Sequence, residues 1–241
     1  ESADNVGKSQ IVQNDAKTEG DKIYETAFKT TPFLPGRILD VGCAWGRMFP
    51  LFKQYDLKIS GIDISSAMIA SAKRNWGNDL AIETLCEAEA ENLPFEADYF
   101  DNLCCLAVFD ATFQDQALAE FIRVVRPGGQ IYLTGKNNNY GINDQLALDA
   151  EIGARNKGHP NYFTDLKALR AQLALSGHKL IASYYFAQRG DFAQFKSLPT
   201  PPASFYEYFI IIERGSECGQ WLPFSDAYSE TFKHYQGMKE R

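Results

Sequence analysis

The chain has 241 residues, 45% of them apolar and 13% aromatic, a size and composition that predict one packed α/β domain with an appended segment. The same composition excludes disordered, collagen-like and disulfide-scaffold proteins. With 31 acidic against 24 basic residues the net charge is -7, which opposes attraction to a nucleic-acid backbone, so no nucleic-acid partner is expected.

Cysteine usage indicates a reducing compartment. The five cysteines are odd in number, and Cys104 and Cys105 are adjacent inside an apolar run, which favours buried thiols over disulfides. No pair has C-x-x-C spacing and none lies near a histidine, so no structural zinc site is predicted. Apolar stretches are too short for a membrane helix, and the first ten residues lack a signal-peptide core, if Glu1 is not already a processed end. We expect a soluble, cytoplasmic protein without a membrane partner.

The N-terminal region predicts a flexible arm followed by one helix. Residues 1–20 are polar and lack clear periodicity, as is typical of an arm able to order over a ligand. Apolar residues recur at helical spacing from Ile23, with Asp21 as a possible N-cap, and Pro32 and Pro35 end the helix.

From residue 37 to 135, extended and helical patterns alternate. Five segments rich in Ile, Leu, Val, Tyr or Cys are predicted to be strands: 37–41, 58–63, 82–86, 100–108 and 130–134. Between them, apolar residues recur at i, i+3, i+4 and i+7 from Met48 to Tyr55 and from Leu118 to Val125, and Ser65 is placed to cap a third helix. This alternation predicts a Rossmann-like, doubly wound, mostly parallel sheet.

The C-terminal third predicts two helices and two long strands. One helix ends near Asn156, and a second carries leucines from Leu166 and ends before Gly177. The strands KLIASYYF and FYEYFIIIERG are separated by an insertion and are predicted to be antiparallel neighbours, which completes a seven-stranded sheet with one antiparallel strand. The tail at 216–241 is rich in aromatic residues and is expected to pack on the body.

The segment ILDVGCAWGR at 38–47 has the strongest functional pattern: a strand that ends in an acid, a loop with two glycines, and an amphipathic helix. Gly42 and Gly46 let the backbone approach a ligand closely, and the helix start offers unpaired N–H groups to a carboxylate or phosphate. Asp63 follows Asp40 by 23 residues and ends the second strand, where its carboxylate can accept hydrogen bonds from both hydroxyls of a ribose. The set predicts a cofactor that contains a nucleoside.

Each of the two acids also has a purely structural alternative. Asp40 would cap the turn that follows it, and Asp63 would assist the helix that starts at Ser65. Each alternative explains one residue and not the set, so cofactor binding is favoured.

The glycine spacing separates two cofactor classes. A dinucleotide site requires GxGxxG, whereas the glycines here have the spacing GxxxG with Ala44 between them, so NAD is disfavoured. The pattern resembles the first motif of class I S-adenosylmethionine-dependent methyltransferases. In that family the acid and the glycine loop hold the amino-acid part of the cofactor, and the second-strand acid holds the ribose. Ala44 replaces the middle glycine that is usual there.

Two further runs extend the resemblance over roughly residues 21–215. CEAEAENLPFEADYFDNL resembles the third-strand segment of the family, in which an acidic side chain meets the adenine amino group and the next backbone N–H meets a ring nitrogen. Alignment on LPF assigns these roles to Glu89 and Ala90. FIRVVRPGGQIYLTG is similar to the helix, turn and fifth strand, with the turn predicted at 126–129. The ENLPF and RVVRPGG runs are similar to the small-molecule branch that contains ubiquinone and menaquinone methyltransferases.

The resemblance implies S-adenosyl-L-methionine as cofactor and a set of residues that contact it. That set is Asp40, Gly42, Cys43, Ala44, Gly46, Asp63, Ile64, Met68, Glu89, Ala90 and Leu106.

Methyl transfer needs a base only where the nucleophile carries a proton. The candidates, which follow the fourth strand or lie in C-terminal loops, are Asp110, Tyr140, His159, Tyr162 and Asp191. Of these, His159, Asp110 and Tyr140 are the predicted catalytic residues, and His159 is favoured as base because imidazole titrates near neutral pH and its loop is placed to cover the site. The alternatives are an ordinary surface histidine, and for Asp110 a cap of the helix that begins near Asp115.

A metal ion is not predicted. Family members that methylate catechols hold magnesium with carboxylates after strands four and five. Here the residues after strand five are the amides Asn137, Asn138 and Asn139, and a hard dication prefers more anionic oxygen.

The sequence thus predicts transfer of a methyl group from S-adenosyl-L-methionine, by in-line displacement, to an oxygen or nitrogen nucleophile of a small molecule such as a natural product, sugar or other metabolite. The acting unit is expected to be a monomer or homodimer, with the methyltransferase domain at 21–215 and lid elements at 21–34 and 137–163. An NAD-dependent oxidoreductase and a non-catalytic protein that binds S-adenosylmethionine are the alternatives.

Overall fold

The computed structural model describes residues 19–189, 197–217 and 221–239. Most of the predicted arm, together with Asp191, lies outside the described residues. The chain divides into two compact units, Glu1–Pro32 and Phe33–Arg241.

The described part of the first unit is one helix, α1, at Glu19–Thr30. It begins two residues before Asp21, so the prediction of Asp21 as N-cap is wrong. Its C-terminal end is as predicted, before Pro32, and the Thr30 hydroxyl donates a hydrogen bond of 2.9 Å to the carbonyl of Thr26 in the last turn.

The second unit alternates strands and short helices along most of its length. Its elements are β1 Arg37–Val41, α2 Phe49–Lys53, β2 Lys58–Asp63, α3 Ser66–Trp76, β3 Ile82–Glu87, β4 Phe100–Cys105, a 3₁₀ turn Phe109–Ala111, α4 Gln114–Val124, β5 Val125–Lys136, α5 Gln145–Asn156, β6 Phe163–Thr164, α6 Leu166–Leu175, β7 Lys179–Phe186, β8 Glu207–Glu213, β9 Ser225–Asp226 and α7 Glu230–Lys239.

Seven strands form one sheet in the order β3-β2-β1-β4-β5-β8-β7. Strands β1 to β5 pair in parallel, and β8 is antiparallel to both of its neighbours, β5 and β7. The predicted fold class is therefore confirmed. Because the strand order reverses between β1 and β4, the carboxyl ends of the central strands open a crevice at this switch point.

The segment Arg126–Gly129 is not the predicted turn. It lies within β5, where the amide of Gly128 donates to the carbonyl of Arg214 at 2.8 Å and the amide of Arg214 donates to the carbonyl of Gly129 at 2.9 Å. The pairing register with β4 shifts here, and Gly128 has φ +75°. Proline and glycine therefore mark a bulge that bends the strand rather than ending it.

Strand β4 ends at Cys105, three residues earlier than predicted. Ala107 takes a left-handed φ of +58°, which an extended strand does not accommodate. The chain therefore leaves the sheet here and turns toward the crevice.

The core lies on both faces of the sheet. Helix α4 buries Ala117, Leu118, Phe121 and Ile122 completely, as its predicted periodicity requires. Each large apolar side chain that is buried this way contributes about 1.5–3 kcal/mol. The Ser65 hydroxyl accepts a hydrogen bond from the amide of Met68 at 3.3 Å, which confirms the predicted cap of α3.

The adjacent cysteines of β4 belong to this core. Cys104 and Cys105 are free thiols with no exposed surface, and burial raises the pKa of both far above its usual value. They are therefore packing residues without reactive thiolates. None of the helices in the described ranges is long and apolar enough to cross a membrane.

Candidate functional site

A cavity of about 220 Å³ opens at the switch point between β1 and β4. Five residues of the predicted cofactor set line it: Gly42, Asp63, Ile64, Glu89 and Ala90. They lie at or just beyond the carboxyl ends of β1, β2 and β3, so the cavity brings together residues of separate sequence motifs.

The glycine loop after β1 approaches its neighbours too closely for side chains. Gly42 has φ +74°, and a Cβ there would lie 2.4 Å from Cγ2 of Val108. Gly46 has φ +84°, and a Cβ there would lie 2.6 Å from the Trp76 ring. Both positions therefore require glycine for their backbone conformation and for space.

Asp63 has a structural role as well as a place in the cavity. One carboxylate oxygen accepts a hydrogen bond of 2.9 Å from the amide of Ala44, and the other accepts one of 2.9 Å from the amide of Ser65. Asp63 therefore does assist the start of α3, which is the structural role given as its alternative. Each oxygen has a second lone pair, so the carboxylate still has acceptor capacity for a ligand in the cavity.

Asp40 is buried at the end of β1 and only 3% exposed. Its Oδ2 has no hydrogen-bond partner among the described residues. Burial raises the pKa of this carboxyl to about 8, the positive charge of Arg47 opposes that rise, and the charge of Asp63 adds to it. An unpartnered buried carboxyl oxygen beside a cavity suits a cationic group on a ligand.

The remaining six residues of the predicted cofactor set do not line this cavity. Asp40, Cys43, Ala44 and Gly46 belong to the β1 end and the loop that flank it, whereas Met68 lies in the first turn of α3 and Leu106 directly follows β4. Cys43 is 2% exposed, and burial is the largest cause that raises the pKa of its thiol.

Sequence reasoning missed several residues that line the cavity, among them Glu91, Val108 and Thr112. Glu91 accepts a hydrogen bond of 2.6 Å from the amide of Phe113, which is the N-cap residue of α4. Glu91, and not Asp110, therefore satisfies the start of that helix. The run CEAEAE could have indicated Glu91 as a lining residue. Glu91 lies two positions after Glu89, and alternate residues of an extended segment share a face.

The structure separates the three predicted catalytic residues. Asp110 lies in the 3₁₀ turn, between cavity-lining Val108 and Ala111, and its carboxylate forms an ion pair of 2.5 Å with Lys136. His159 is exposed in the loop after α5, where its amide donates to the carbonyl of Ala154 at 3.0 Å.

Tyr140 is buried in a small core cluster with Ala147, Phe163 and Tyr206. Its hydroxyl donates a hydrogen bond of 2.8 Å to Oε2 of Glu151, and burial raises its pKa far above the usual range. This environment gives the side chain a packing role. Among the described residues, no group of three or more His, Cys, Asp and Glu side chains is arranged to hold a metal ion.

Residues 39–133 match the family model described as "Methyltransferase domain". A ubiquinone/menaquinone biosynthesis C-methyltransferase of Campylobacter jejuni is 35% identical over 101 residues, which cover 39% of this chain and 41% of that protein. A malonyl-[acyl-carrier protein] O-methyltransferase of Pectobacterium atrosepticum is 33% identical over 97 residues, covering 39% of this chain and 36% of that protein. The chain thus spans less than half the length of these two curated relatives.

Solved structures share the fold. An S-adenosylmethionine-dependent methyltransferase of Methanosarcina mazei superposes with a TM-score of 0.55 at 19% identity, covering 78% of this chain and 98% of that chain. A phosphoethanolamine N-methyltransferase of Haemonchus contortus, in complex with S-adenosyl-L-methionine, superposes with a TM-score of 0.61 at 14% identity. The match covers 81% of this chain and 53% of that chain. These identities support a common architecture.

Proposed function

We propose that the chain, whose residues 39–133 match the model of a methyltransferase domain, transfers a methyl group from S-adenosyl-L-methionine to an oxygen or nitrogen nucleophile of a small molecule. The family match, the sheet order and the cavity at the switch point support this proposal. Curated relatives that bear the name O-methyltransferase support the oxygen branch.

The observation that carries the proposal is the buried Asp40 carboxyl beside the glycine loop, whose Oδ2 has no hydrogen-bond partner among the described residues. S-adenosylmethionine has an ammonium group in its amino-acid part, and that group would supply the hydrogen-bond donor that Oδ2 of the buried Asp40 carboxyl lacks among the described residues. Gly42 and Gly46, which have no room for a Cβ, would let the loop backbone approach the same part of the cofactor.

The nucleoside part of the cofactor would occupy the cavity. Asp63 would accept hydrogen bonds from the ribose hydroxyls, Glu89 would accept one from the adenine amino group, and the amide of Ala90 would donate one to a ring nitrogen. Ile64, which is 72% exposed beside Asp63, would cover one face of the ring.

The bound cofactor would supply an activated methyl group on a sulfonium, so this chain's residues need only position the acceptor, exclude water and receive a proton where the acceptor carries one. Asp110, in the turn at the cavity rim, is proposed to face the acceptor. The segment 137–163 is proposed as a lid over it. We propose that the protein acts in the cytoplasm, as a monomer or homodimer, without a nucleic-acid partner.

Calorimetric titration tests the proposal. Protein stripped of cofactor is titrated with S-adenosylmethionine, with S-adenosylhomocysteine and with NADH, and the variant Asp40→Asn is titrated in parallel. Binding of both adenosyl compounds, weakened in the variant, supports the methyltransferase. Preference for NADH supports an oxidoreductase instead, and binding without turnover across a broad acceptor panel supports a non-catalytic protein.

A further inference from the structure

A mixed-charge cluster lies at the carboxyl ends of β4 and β5, next to the cavity rim. It contains Asp110, Lys136, Asn161 and Glu207. The ammonium of Lys136 contacts the Asp110 carboxylate at 2.5 Å and donates a hydrogen bond of 2.8 Å to Oδ1 of Asn161. The cluster therefore brings together residues from the 3₁₀ turn after β4, from β5 and β8, and from the loop before β6.

Glu207 is the first residue of β8, and its position follows from the direction of that strand. Since β8 is antiparallel to β5, its amino end lies at the carboxyl end of β5, and Glu207 pairs directly with Lys136. Residues directly opposite each other in an antiparallel pair project to the same face of the sheet. The Glu207 side chain therefore emerges on the face on which Lys136 reaches Asp110.

The Glu207 carboxyl is half-buried, and no hydrogen bond or ion pair joins it to any side chain in the ranges that the structure describes. Lys136, the nearest cation by register, directs its ammonium to Asp110 and Asn161 instead. A half-buried carboxyl without such a partner has acceptor capacity for a ligand.

The surrounding charges set the proton affinity of this carboxyl. Burial is the largest influence and raises the pKa of Glu207 above its usual value. Lys136 and Arg189 oppose the rise, whereas Asp110 and Asp144 add to it. A carboxyl with a raised pKa accepts a proton nearer to neutral pH, as a base in catalysis must.

We propose that Glu207 is the general base of the methyl transfer and that the acceptor presents a neutral hydroxyl. This inference rests on the proposed function. The O–H bond of the acceptor breaks and its proton moves to a Glu207 oxygen. The electron pair left on the acceptor oxygen forms the new bond to the methyl carbon, and the pair of the broken carbon–sulfur bond stays on sulfur, which leaves S-adenosylhomocysteine.

The charges of the cluster favour this class of acceptor. With Glu207 ionised, the carboxylates Asp110, Asp144 and Glu207 outnumber the two cations Lys136 and Arg189, so an acceptor that is itself a carboxylate is disfavoured. A neutral hydroxyl is not repelled, and it is the type of nucleophile that needs a base.

Sinefungin tests the position of Glu207 without a known acceptor. This compound resembles S-adenosylmethionine but carries an ammonium group in place of the transferable methyl, so its charge lies where the acceptor would be attacked. The affinities of sinefungin and S-adenosylhomocysteine are measured by calorimetry between pH 5 and 8 for the wild type, Glu207→Gln, Glu207→Asp and Glu213→Gln. Glu213 is a matched control because it ends the same strand at the opposite edge and pairs with Lys179 at 3.1 Å.

We expect the wild type and Glu213→Gln to prefer sinefungin, and this preference to weaken as the pH falls and Glu207 is protonated. In Glu207→Gln the preference should fall about five- to tenfold, with S-adenosylhomocysteine affinity unchanged, and Glu207→Asp should restore part of it. An equal preference in Glu207→Gln and the wild type would overturn the assignment of the base, as would an acceptor that is methylated on a carboxylate. Failure of the wild type to bind either ligand would instead overturn the proposed function.

Discussion

A 2.9 Å hydrogen bond from the amide of Ala44 to the carboxylate of Asp63 ties the glycine loop after β1 to the end of β2. Ala44 takes a left-handed φ of +50°, which costs a residue with a Cβ about 1–2 kcal/mol. A hydrogen bond to a charged acceptor contributes about 1.5–3 kcal/mol and offsets that cost. Asp63 thus stabilises the loop in the conformation that the cavity requires.

Substitution of Asp63 is expected to weaken ligand binding and stability together. Asp63→Ala removes both amide contacts and the proposed ribose contacts, so S-adenosylhomocysteine affinity should fall by about 1–3 kcal/mol and the thermal midpoint should fall as well. Calorimetry and thermal unfolding measure the two effects. Ser65→Ala is the control, since it removes only the cap of α3 and should lower stability by about 1 kcal/mol with little effect on affinity. Unchanged affinity in Asp63→Ala would contradict the ribose assignment.

The raised pKa of Asp40 predicts proton release when the cofactor binds. At pH 7 a carboxyl with a pKa of about 8 is mostly neutral, and a cationic group beside it favours the ionised form. Titration with S-adenosylhomocysteine in buffers of different ionisation enthalpy should therefore show release of up to about one proton. The Asp40→Asn variant should release much less, and equal release in both would assign the proton to another group.

Asp40 also predicts how the stability of the ligand-free protein depends on pH. Its folded pKa of about 8 lies above the unfolded value of 3.8, so its stabilising contribution is fully present below the unfolded value and is lost as the pH rises through 8. Between these values the contribution declines by at most about 1.4 kcal/mol per pH unit. Urea unfolding from pH 5 to 8 measures the decline, and Asp40→Asn should flatten it. If the free energy of unfolding of Asp40→Asn depends on pH as it does in the wild type, this prediction is wrong.

Gly42→Ala tests the close approach of the glycine loop to the segment that follows β4. The new Cβ would lie 2.4 Å from Cγ2 of Val108 on a backbone with φ +74°, so stability should fall by about 2 kcal/mol or more and adenosyl ligands should bind more weakly. Gly153→Ala is a matched control within α5, because nothing lies within 4 Å of its Cβ position. That control should gain about 0.5–1 kcal/mol in chemical unfolding. A tolerated Gly42→Ala would show that the loop is looser than this contact implies.

Tyr140→Phe separates a packing role from a catalytic one. The variant removes a hydrogen bond to Glu151, whose carboxylate also accepts bonds from Ser229 and Arg155. We expect a loss of about 1–3 kcal/mol in the free energy of unfolding, with S-adenosylhomocysteine affinity unchanged. Tyr228→Phe, on a ring that is 44% exposed, should change neither quantity. If Tyr140→Phe unfolds with the same free energy as the wild type, the packing role is contradicted and Tyr140 remains a candidate catalytic residue.

Local signals in the sequence predicted the strands and the helix cap well. β1, β2 and β7 have the predicted bounds because their apolar runs are closed on both sides by polar or turn-forming residues. The segment Arg126–Gly129 was misassigned because proline and glycine favour a turn and a bulge alike. Only the pairing with Arg214, 85 or more residues later, distinguishes the two.

The acceptor side was less predictable because its contacts are not local. Tyr140 was predicted to be catalytic, but its hydroxyl donates a hydrogen bond to Glu151. That carboxylate also accepts one from Ser229, which lies 78 residues farther along the chain. Glu207 is not among the residues that the sequence motifs single out. Its place beside Lys136 depends on the insertion of β8 between β5 and β7, which the periodicity of its own segment does not specify.

The direction and position of β8 have an evolutionary consequence. All of the residues that line the cavity come from the stretch between Val41 and Thr112, whereas Lys136, Asn161 and Glu207 come from later in the chain. In the proposed function, the residues for nucleoside recognition therefore come from the first half of the sequence, and those for acceptor recognition, apart from Asp110, come from the second half. With the proposed roles divided in this way, substitutions in the later half of the sequence can change the acceptor that is bound and leave the proposed cofactor site intact.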